Sequence, residues 1–334
     1  MRILIVAPSW VGDTVMAQPM FRLLHERHAN LTLDVLAPPF TLPLLKRMPE
    51  VRHSIVARFG HGELKFVERR RLARELQVER YDQAIVLPNS LKSALIPLLA
   101  KIPLRTGFRG EMRYGLLNDL RRLDERALPK MVERFAALAL DRGATLTRPL
   151  PAPGLSANTV NAKIIIEKQI LTEDKPIAVF CPGAEYGPAK RWPAEYFGAL
   201  ARQAAQNGYT VWLIGSPKDA AIGDDIVRTS NGACINLCGK TTLDDAIDLI
   251  SLAALVVTND SGLMHVAAAL GRPLLALYGS SSPAFTPPLS TSAKIIKIDI
   301  ACSPCFKREC PLGHFNCMRH LTPEQVWQQV PAVT

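Results

Sequence analysis

The chain has 334 residues, of which 48% are hydrophobic and 21% charged. That composition excludes a disordered protein, and no apolar run approaches the roughly 20 residues that cross a bilayer as a helix. The formal charge of +10 and a pI near 9.4 call for an anionic partner, whether nucleic acid, an anionic membrane surface or a phosphorylated substrate.

A strand is predicted over residues 2–7, with no signal-peptide pattern before it, so a cytosolic location is expected. The loop Ala7-Pro-Ser-Trp10-Val-Gly12-Asp13-Thr14 follows and leads into a helix predicted over 14–27. Its single glycine is not the G-x-G-x-x-G dinucleotide fingerprint. In an open parallel sheet, ligands lie beyond the carboxyl ends of the strands, which places Asp13 where chemistry would occur. A helix-capping role is the plainer reading of Asp13, although capping leaves an exposed Trp10 unexplained.

Further strands are predicted over 32–37, 53–57 and 83–87, and helices over 63–76, 90–100 and 131–142. Two stretches are rich in arginine. Glu68-Arg-Arg-Arg-Leu-Ala-Arg74 carries acids at helical spacing and reads as a solvated helix face. Residues 105–113, with Arg105, Arg109 and Arg113, are more loop-like and suit phosphate. Neither stretch has the interleaved aromatics of a single-strand nucleic-acid platform. Residues 148–154 are proline-rich and mark a linker, which divides the chain into domains 1–155 and 156–334 with a cleft expected between them.

The second half restarts the pattern, with strands expected over 176–181, 209–215, 255–258 and 273–278 and helices over 193–207 and 262–270. The loop Pro182-Gly-Ala-Glu185-Tyr186-Gly-Pro-Ala-Lys190-Arg-Trp-Pro193 ends in two cations just before a helix. That suits a diphosphate, and a solvated basic turn is the alternative. Asn259-Asp260-Ser261-Gly262 opens a helix at the end of an apolar strand, which again is either an anion site or an ordinary cap. Together the two loops could grip one nucleotide diphosphate. His265, a turn further on, would touch the ligand or sit buried and satisfied.

Seven cysteines in such a chain argue against a disulfide framework. Cys302, Cys305, Cys310 and Cys317 cluster with His314, and only the first pair has typical zinc-ligand spacing. The cluster is either a structural metal site or a compact loop of packed, reduced thiols.

The motifs Trp10-Val-Gly-Asp13, Leu87-Pro-Asn-Ser90, Arg109-Gly-Glu-Met-Arg-Tyr114, Lys190-Arg-Trp-Pro193 and Asn259-Asp-Ser-Gly-Leu-Met-His265 together resemble the ADP-heptose–lipopolysaccharide heptosyltransferases of glycosyltransferase family 9. The likeness is greatest to the type that adds the second heptose of the inner core, and it covers residues 1 to about 330. The resemblance implies an α/β GT-B architecture, meaning two Rossmann-like domains whose parallel sheets face a central cleft. The acceptor would lie on the first domain and the nucleotide sugar on the second.

The implied reaction is inverting transfer of heptose from ADP-L-glycero-D-manno-heptose to the first heptose of the core, with no cofactor and no required metal. Asp13 matches the general base, and Lys190 with the N–H groups at Ser261 and Gly262 would carry the charge of the leaving ADP. Glu185 and Tyr186 stand where type I enzymes carry threonines. Gly215, Ser216, Lys240 and Thr241 are expected near adenine and ribose, and Asp260 and His265 in the same pocket. Trp10, Gly12, Asn89, Lys92, Arg109 and Arg113 are the expected acceptor contacts.

A phosphorylated, membrane-anchored glycolipid acceptor accounts for the basic charge, and transient contact with the anionic inner-membrane leaflet is expected. No heptad or apolar stripe calls for an obligate partner, so a monomer is expected. Other readings are transfer to the heptose-free Kdo-lipid A acceptor, a sugar-nucleotide epimerase or hydrolase, a non-catalytic membrane-surface protein and, on charge alone, a nucleic-acid binder.

Overall fold

The computed structural model describes residues 1–59 and 63–331, so the last three residues of the expected second domain lie outside it. The chain divides into two compact units, Met1–Pro153 and Gly154–Thr334. Residues 151–158 form neither helix nor strand, as three prolines in residues 148–153 dictate.

The first unit carries strands β1 (Arg2–Val6), β2 (Thr32–Ala37), β3 (His53–Val56), β4 (Gln83–Val86), β5 (Leu104–Phe108) and β6 (Asp119–Arg121). They form one parallel sheet in the order β3-β2-β1-β4-β5-β6. Its helices are α1 (Val11–Arg27), α2 (Leu42–Lys46), α3 (Phe66–Gln77), α4 (Leu95–Leu99) and α5 (Met131–Ala137). The central strand, β1, is apolar throughout after Arg2, and Ile3, Leu4 and Ile5 are wholly buried. Such continuous runs suit a sheet covered on both faces.

The second unit repeats the arrangement. Its strands are β7 (Ile177–Cys181), β8 (Thr210–Leu213), β9 (Ile235–Asn236), β10 (Leu255–Asn259), β11 (Leu274–Tyr278) and β12 (Ala293–Lys297), parallel in the order β12-β11-β10-β7-β8-β9. Helices α6 (Thr159–Gln169), α7 (Ala194–Gln206), α8 (Ala220–Thr229), α9 (Leu243–Ser251), α10 (Gly262–Ala269), α11 (Asn316–Arg319) and α12 (Pro323–Trp327) accompany them. Phe180, Trp192, Phe197, Leu213, Val257, Leu277 and Met318 share its core. Each such side chain contributes about 1.5–3 kcal/mol on leaving water.

Both sheets have the 3-2-1-4-5-6 order of dinucleotide-binding folds, and in both the direction of winding reverses between the first and fourth strands. That switch point lies between β1 and β4 in the first unit and between β7 and β10 in the second. Ligands bind outside the carboxyl ends of the strands there.

Three expected helices differ from those found. Helix α1 begins at Val11, so Gly12 and Asp13 lie inside its first turn and Trp10 holds the N-cap position without a side-chain cap. The segment expected as a helix over 90–100 is a 3-10 turn, Leu91–Ala94, followed by α4, which contains Pro97. Proline has no N–H for a continuous ladder, and the Ser93 hydroxyl donates to the carbonyls of Ser90 and Pro88 instead. Helix α5 stops at Ala137 rather than at 142, and the carbonyls of Ala137 and Leu140 accept from the Arg121 guanidinium.

Candidate functional site

In the second unit, two loops leave the switch point. The first, residues 182–193, is anchored at both ends by one side chain. Asn259, the last residue of β10, is wholly buried. Its Nδ2 donates to the Pro182 carbonyl at 2.7 Å, and its Oδ1 accepts the Trp192 N–H at 3.0 Å. Trp192 is itself buried, packs edge-on against Phe197 and donates its indole N–H to Leu321 O at 2.8 Å.

Between these anchors Lys190 reaches Asp260, with Nζ donating to Oδ2 at 2.6 Å. Asp260 is only 4% exposed and Lys190 is half-buried, so the pair is far less screened than a surface ion pair. The ammonium also lies 5.1 Å from the Tyr186 ring centre, on a tyrosine whose hydroxyl donates to Phe306 O at 2.8 Å.

The second loop, Asp260-Ser261, opens α10. Ser261 is the N-cap residue but makes no side-chain cap, and the Asp260 N–H is spent on Leu277 O at 3.1 Å. The first-turn N–H groups of α10 have no intrahelical partner, and the helix dipole adds positive potential there. Side-chain capping, the plainer reading of this loop, is thus not how these donors are used. His265 is buried in the first turns of α10. Burial pushes its imidazole down to about 4, a shift that Asp260 opposes and Lys190 reinforces. It is a neutral ring at neutral pH.

The remaining expected donor-site residues divide. Glu185 is exposed and pairs with Lys218. Ser216 is committed to Asp219, with both its N–H and its hydroxyl donating to Oδ2 at 2.9 and 2.7 Å. Gly215 lies over the same carboxylate, where an added Cβ would fall 3.0 Å from the Asp219 Cβ. Lys240 is exposed, and the buried Thr241 hydroxyl has no hydrogen-bond partner among the described residues.

Reasoning from sequence missed Asn259 as the loop anchor, and also Ser280 and Ser281. These two serines lie just past β11, beside β10, and their hydroxyls are buried without a partner among the described residues. A run of serines directly after an apolar strand was the available signal.

In the first unit the loops at the switch point carry Trp10, Gly12 and Asp13 after β1 and Asn89 after β4. Trp10 is 46% exposed, Gly12 and Asp13 are half-buried, and Asn89 is exposed. The Asn89 carbonyl accepts the Glu111 N–H at 3.1 Å, which draws the loop after β5 alongside. Arg109 on that loop is exposed, and Lys92 is half-buried with its carbonyl taken by Arg69.

Arg113 corrects the expectation of an acceptor contact. It is 1% exposed, and its guanidinium donates to Pro88 O, Asn89 Oδ1 and Phe108 O. It braces three segments from within.

The cysteine cluster forms the wall of a small cavity. Cys302, Cys305, Cys310, Cys317 and His314 line it together with Ala189 and Ser280. Backbone N–H groups, led by that of Phe315, pull the Cys310 thiol down, whereas burial and the other three cysteines push Cys317 up. Among the described residues no group of three or more His, Cys, Asp or Glu is arranged to hold a metal ion.

Comparison with known proteins gives a consistent result. The model of glycosyltransferase family 9 (heptosyltransferase) matches residues 69–316. Lipopolysaccharide heptosyltransferase 2 of Escherichia coli K12 is 48% identical over 342 residues, which covers 100% of this chain and 98% of the relative. Lipooligosaccharide heptosyltransferase 2 of Haemophilus influenzae is 44% identical over 342 residues, covering 99% of this chain and 98% of the relative. The solved structure of the E. coli ADP-heptose lps heptosyltransferase II superimposes with a TM-score of 0.88 at 46% identity, over 98% of this chain and 97% of that one.

Proposed function

The chain belongs to glycosyltransferase family 9, the heptosyltransferases, and from that premise we propose that it moves heptose from ADP-L-glycero-D-manno-heptose to the first heptose of the lipopolysaccharide inner core. The observation that carries the donor half of this reading is the Lys190–Asp260 clamp beside the uncapped start of α10. It offers an oriented ammonium and free N–H groups together, at a switch point where phosphates bind.

In the proposed reaction an acceptor hydroxyl attacks the anomeric carbon of the heptose from the face opposite ADP. Asp13 takes the hydroxyl proton as the new C–O bond forms. A carboxylate suits this step, because the alcohol becomes acidic only as it bonds to carbon. The bond from the anomeric carbon to the β-phosphate oxygen breaks, and the configuration inverts. Lys190 and the N–H groups of α10 hold the charge that grows on ADP, the interaction that strengthens most along the path. His265, neutral and buried, is assigned to shaping the pocket rather than to proton transfer. Asn89, Lys92, Arg109 and Trp10 are assigned to the acceptor.

The first unit is proposed to bind the acceptor and the second the nucleotide sugar, in a monomer that visits the anionic leaflet where a lipid-anchored acceptor resides. Among the described residues no helix is long and apolar enough to cross a membrane. Each basic residue near such a surface contributes about 1 kcal/mol of attraction, so a few suffice for transient attachment.

The test is transfer from ADP-heptose to core acceptors bearing no heptose or one heptose, with wild type and Asp13→Asn compared. Product on the one-heptose acceptor alone, lost in the variant, is expected. Product on the heptose-free acceptor would reassign the chain to the first transfer, and no product on either would refute heptosyl transfer.

A further inference from the structure

The net charge is not shared between the units. Residues 1–153 hold 25 Lys and Arg against 15 Asp and Glu, whereas residues 154–334 hold 15 of each. All of the +10 therefore lies on the first unit, and any attraction to an anionic surface acts through it.

The same unit exposes large apolar side chains, concentrated at one edge. Leu64, Phe66, Val67, Leu91, Met112 and Tyr114 are all exposed, Val67 at 77% and Met112 at 80%. They follow the carboxyl ends of β3, β4 and β5, and hydrogen bonds tie their segments together. The Arg69 guanidinium, itself buried and 4.0 Å above the Phe59 ring, donates to Leu64 O at 2.6 Å and to Lys92 O at 3.1 Å. The Leu91 N–H donates to Glu111 Oε2 at 2.8 Å, and the Glu111 N–H donates to Asn89 O. Gly110 makes the last approach possible, because a Cβ there would fall 2.3 Å from Asn89 O.

The result is a braced rim of exposed apolar side chains, with Arg70, Arg71 and Arg109 exposed on the same segments. Apolar side chains scattered singly over a surface need no explanation, whereas a gathered set flanked by cations marks an interaction surface.

We propose that this rim is the membrane-docking surface of the protein. Leu64, Phe66, Val67, Met112 and Tyr114 enter the headgroup region of an anionic bilayer while the flanking arginines hold lipid phosphates. Charge favours this occupant. A cationic apolar edge matches an anionic leaflet, and binding of this kind scales with buried apolar area plus electrostatic attraction. The position fits as well: the rim adjoins Asn89, Lys92 and Arg109, and a glycolipid acceptor presents its sugars just above the leaflet. This last argument rests on the heptosyl-transfer reading; the charge and exposure arguments do not.

The test is flotation of the full chain with phosphatidylcholine vesicles, with and without phosphatidylglycerol, for wild type and the double variant Val67→Ser/Met112→Ser. Val78→Ser, equally exposed but at the opposite end of α3, serves as control. Wild type and control should float with the anionic vesicles, and the double variant should partition at least tenfold less. Its turnover on a deacylated, water-soluble acceptor should be unchanged, while its KM for acceptor embedded in vesicles rises. Equal flotation of the double variant and wild type would overturn the proposal. Flotation that any salt abolishes but the substitutions leave alone would do the same, since apolar insertion would then contribute nothing. Loss of transfer to the soluble acceptor in every protein would instead overturn the reaction, with the flotation result still deciding the surface.

Discussion

The side-chain oxygen of Asn259 accepts the backbone N–H of Trp192 at 3.0 Å, across 67 residues of chain. With its amide on Pro182 O, this one residue fixes both ends of the loop that presents Lys190. Replacing it by leucine leaves a buried N–H and a buried carbonyl without partners, at about 1–3 kcal/mol each. Asn259→Leu is expected to lower the melting temperature and to weaken ADP binding at least tenfold. Calorimetry and titration on the same sample check this, and unchanged ADP affinity would show that the loop is held by other means.

Lys190 and Asp260 should respond unequally to substitution. Lys190→Met removes a group assigned to the leaving diphosphate, and loss of one such donor costs about 10²–10³ in kcat. Asp260→Asn keeps a hydrogen-bond acceptor while removing the charge that orients the ammonium, so a smaller loss, about tenfold, is expected. Steady-state kinetics on both variants decide this, and equal losses would mean that Asp260 takes part in the reaction itself.

Arg109 and Arg113 are four residues apart and should behave in opposite ways. Arg109→Ala is expected to raise the acceptor KM severalfold with the melting temperature unmoved. Arg113→Met strips the donors from Pro88 O, Asn89 Oδ1 and Phe108 O, and is expected to cost about 3 kcal/mol of stability. Denaturant melts beside acceptor titrations separate the two. A stable Arg113→Met with a raised KM would return that residue to the acceptor site.

His265 gives the protein a stability that depends on pH. Burial holds its imidazole near 4, whereas the unfolded chain binds a proton near 6.5. The contribution is complete above pH 6.5 and is lost as the pH falls from there toward 4. Within that window the slope approaches about 1.4 kcal/mol per pH unit. His265→Gln has no charge to gain and should lose less melting temperature than wild type between about pH 7.5 and pH 5. Parallel curves would mean that the ring is solvated in the fold and titrates there as it does in the unfolded chain.

Strands β1 and β10 were readable because each is an unbroken apolar run ended by a polar turn, a pattern fixed by local chemistry alone. Strands β5 and β6 were not, because Arg105, Thr106 and Gly107 break the run and Asp119–Arg121 has no apolar alternation. Loop positions beyond the strand ends could be read, and so could the idea that residues 182–193 act with Asp260. The direct bond between Lys190 and Asp260 could not, since nothing local joins residues 70 positions apart. Arg113 was misjudged for the same reason. Its partners are carbonyls on three separate segments, and a buried arginine looks in sequence like an exposed one.

Pairing with Asp260 also determines what the Lys190 ammonium can refuse. A bare cation in a half-open pocket would retain any small anion that diffused in. Here an incoming phosphate must compete with a carboxylate already seated 2.6 Å away, so orthophosphate gains little by entering. Only a ligand that brings further contacts, such as a diphosphate bearing a nucleoside, offsets that competition. In the proposed donor site the clamp would thus act as a filter, making occupancy depend on the whole nucleotide sugar rather than on a phosphate alone.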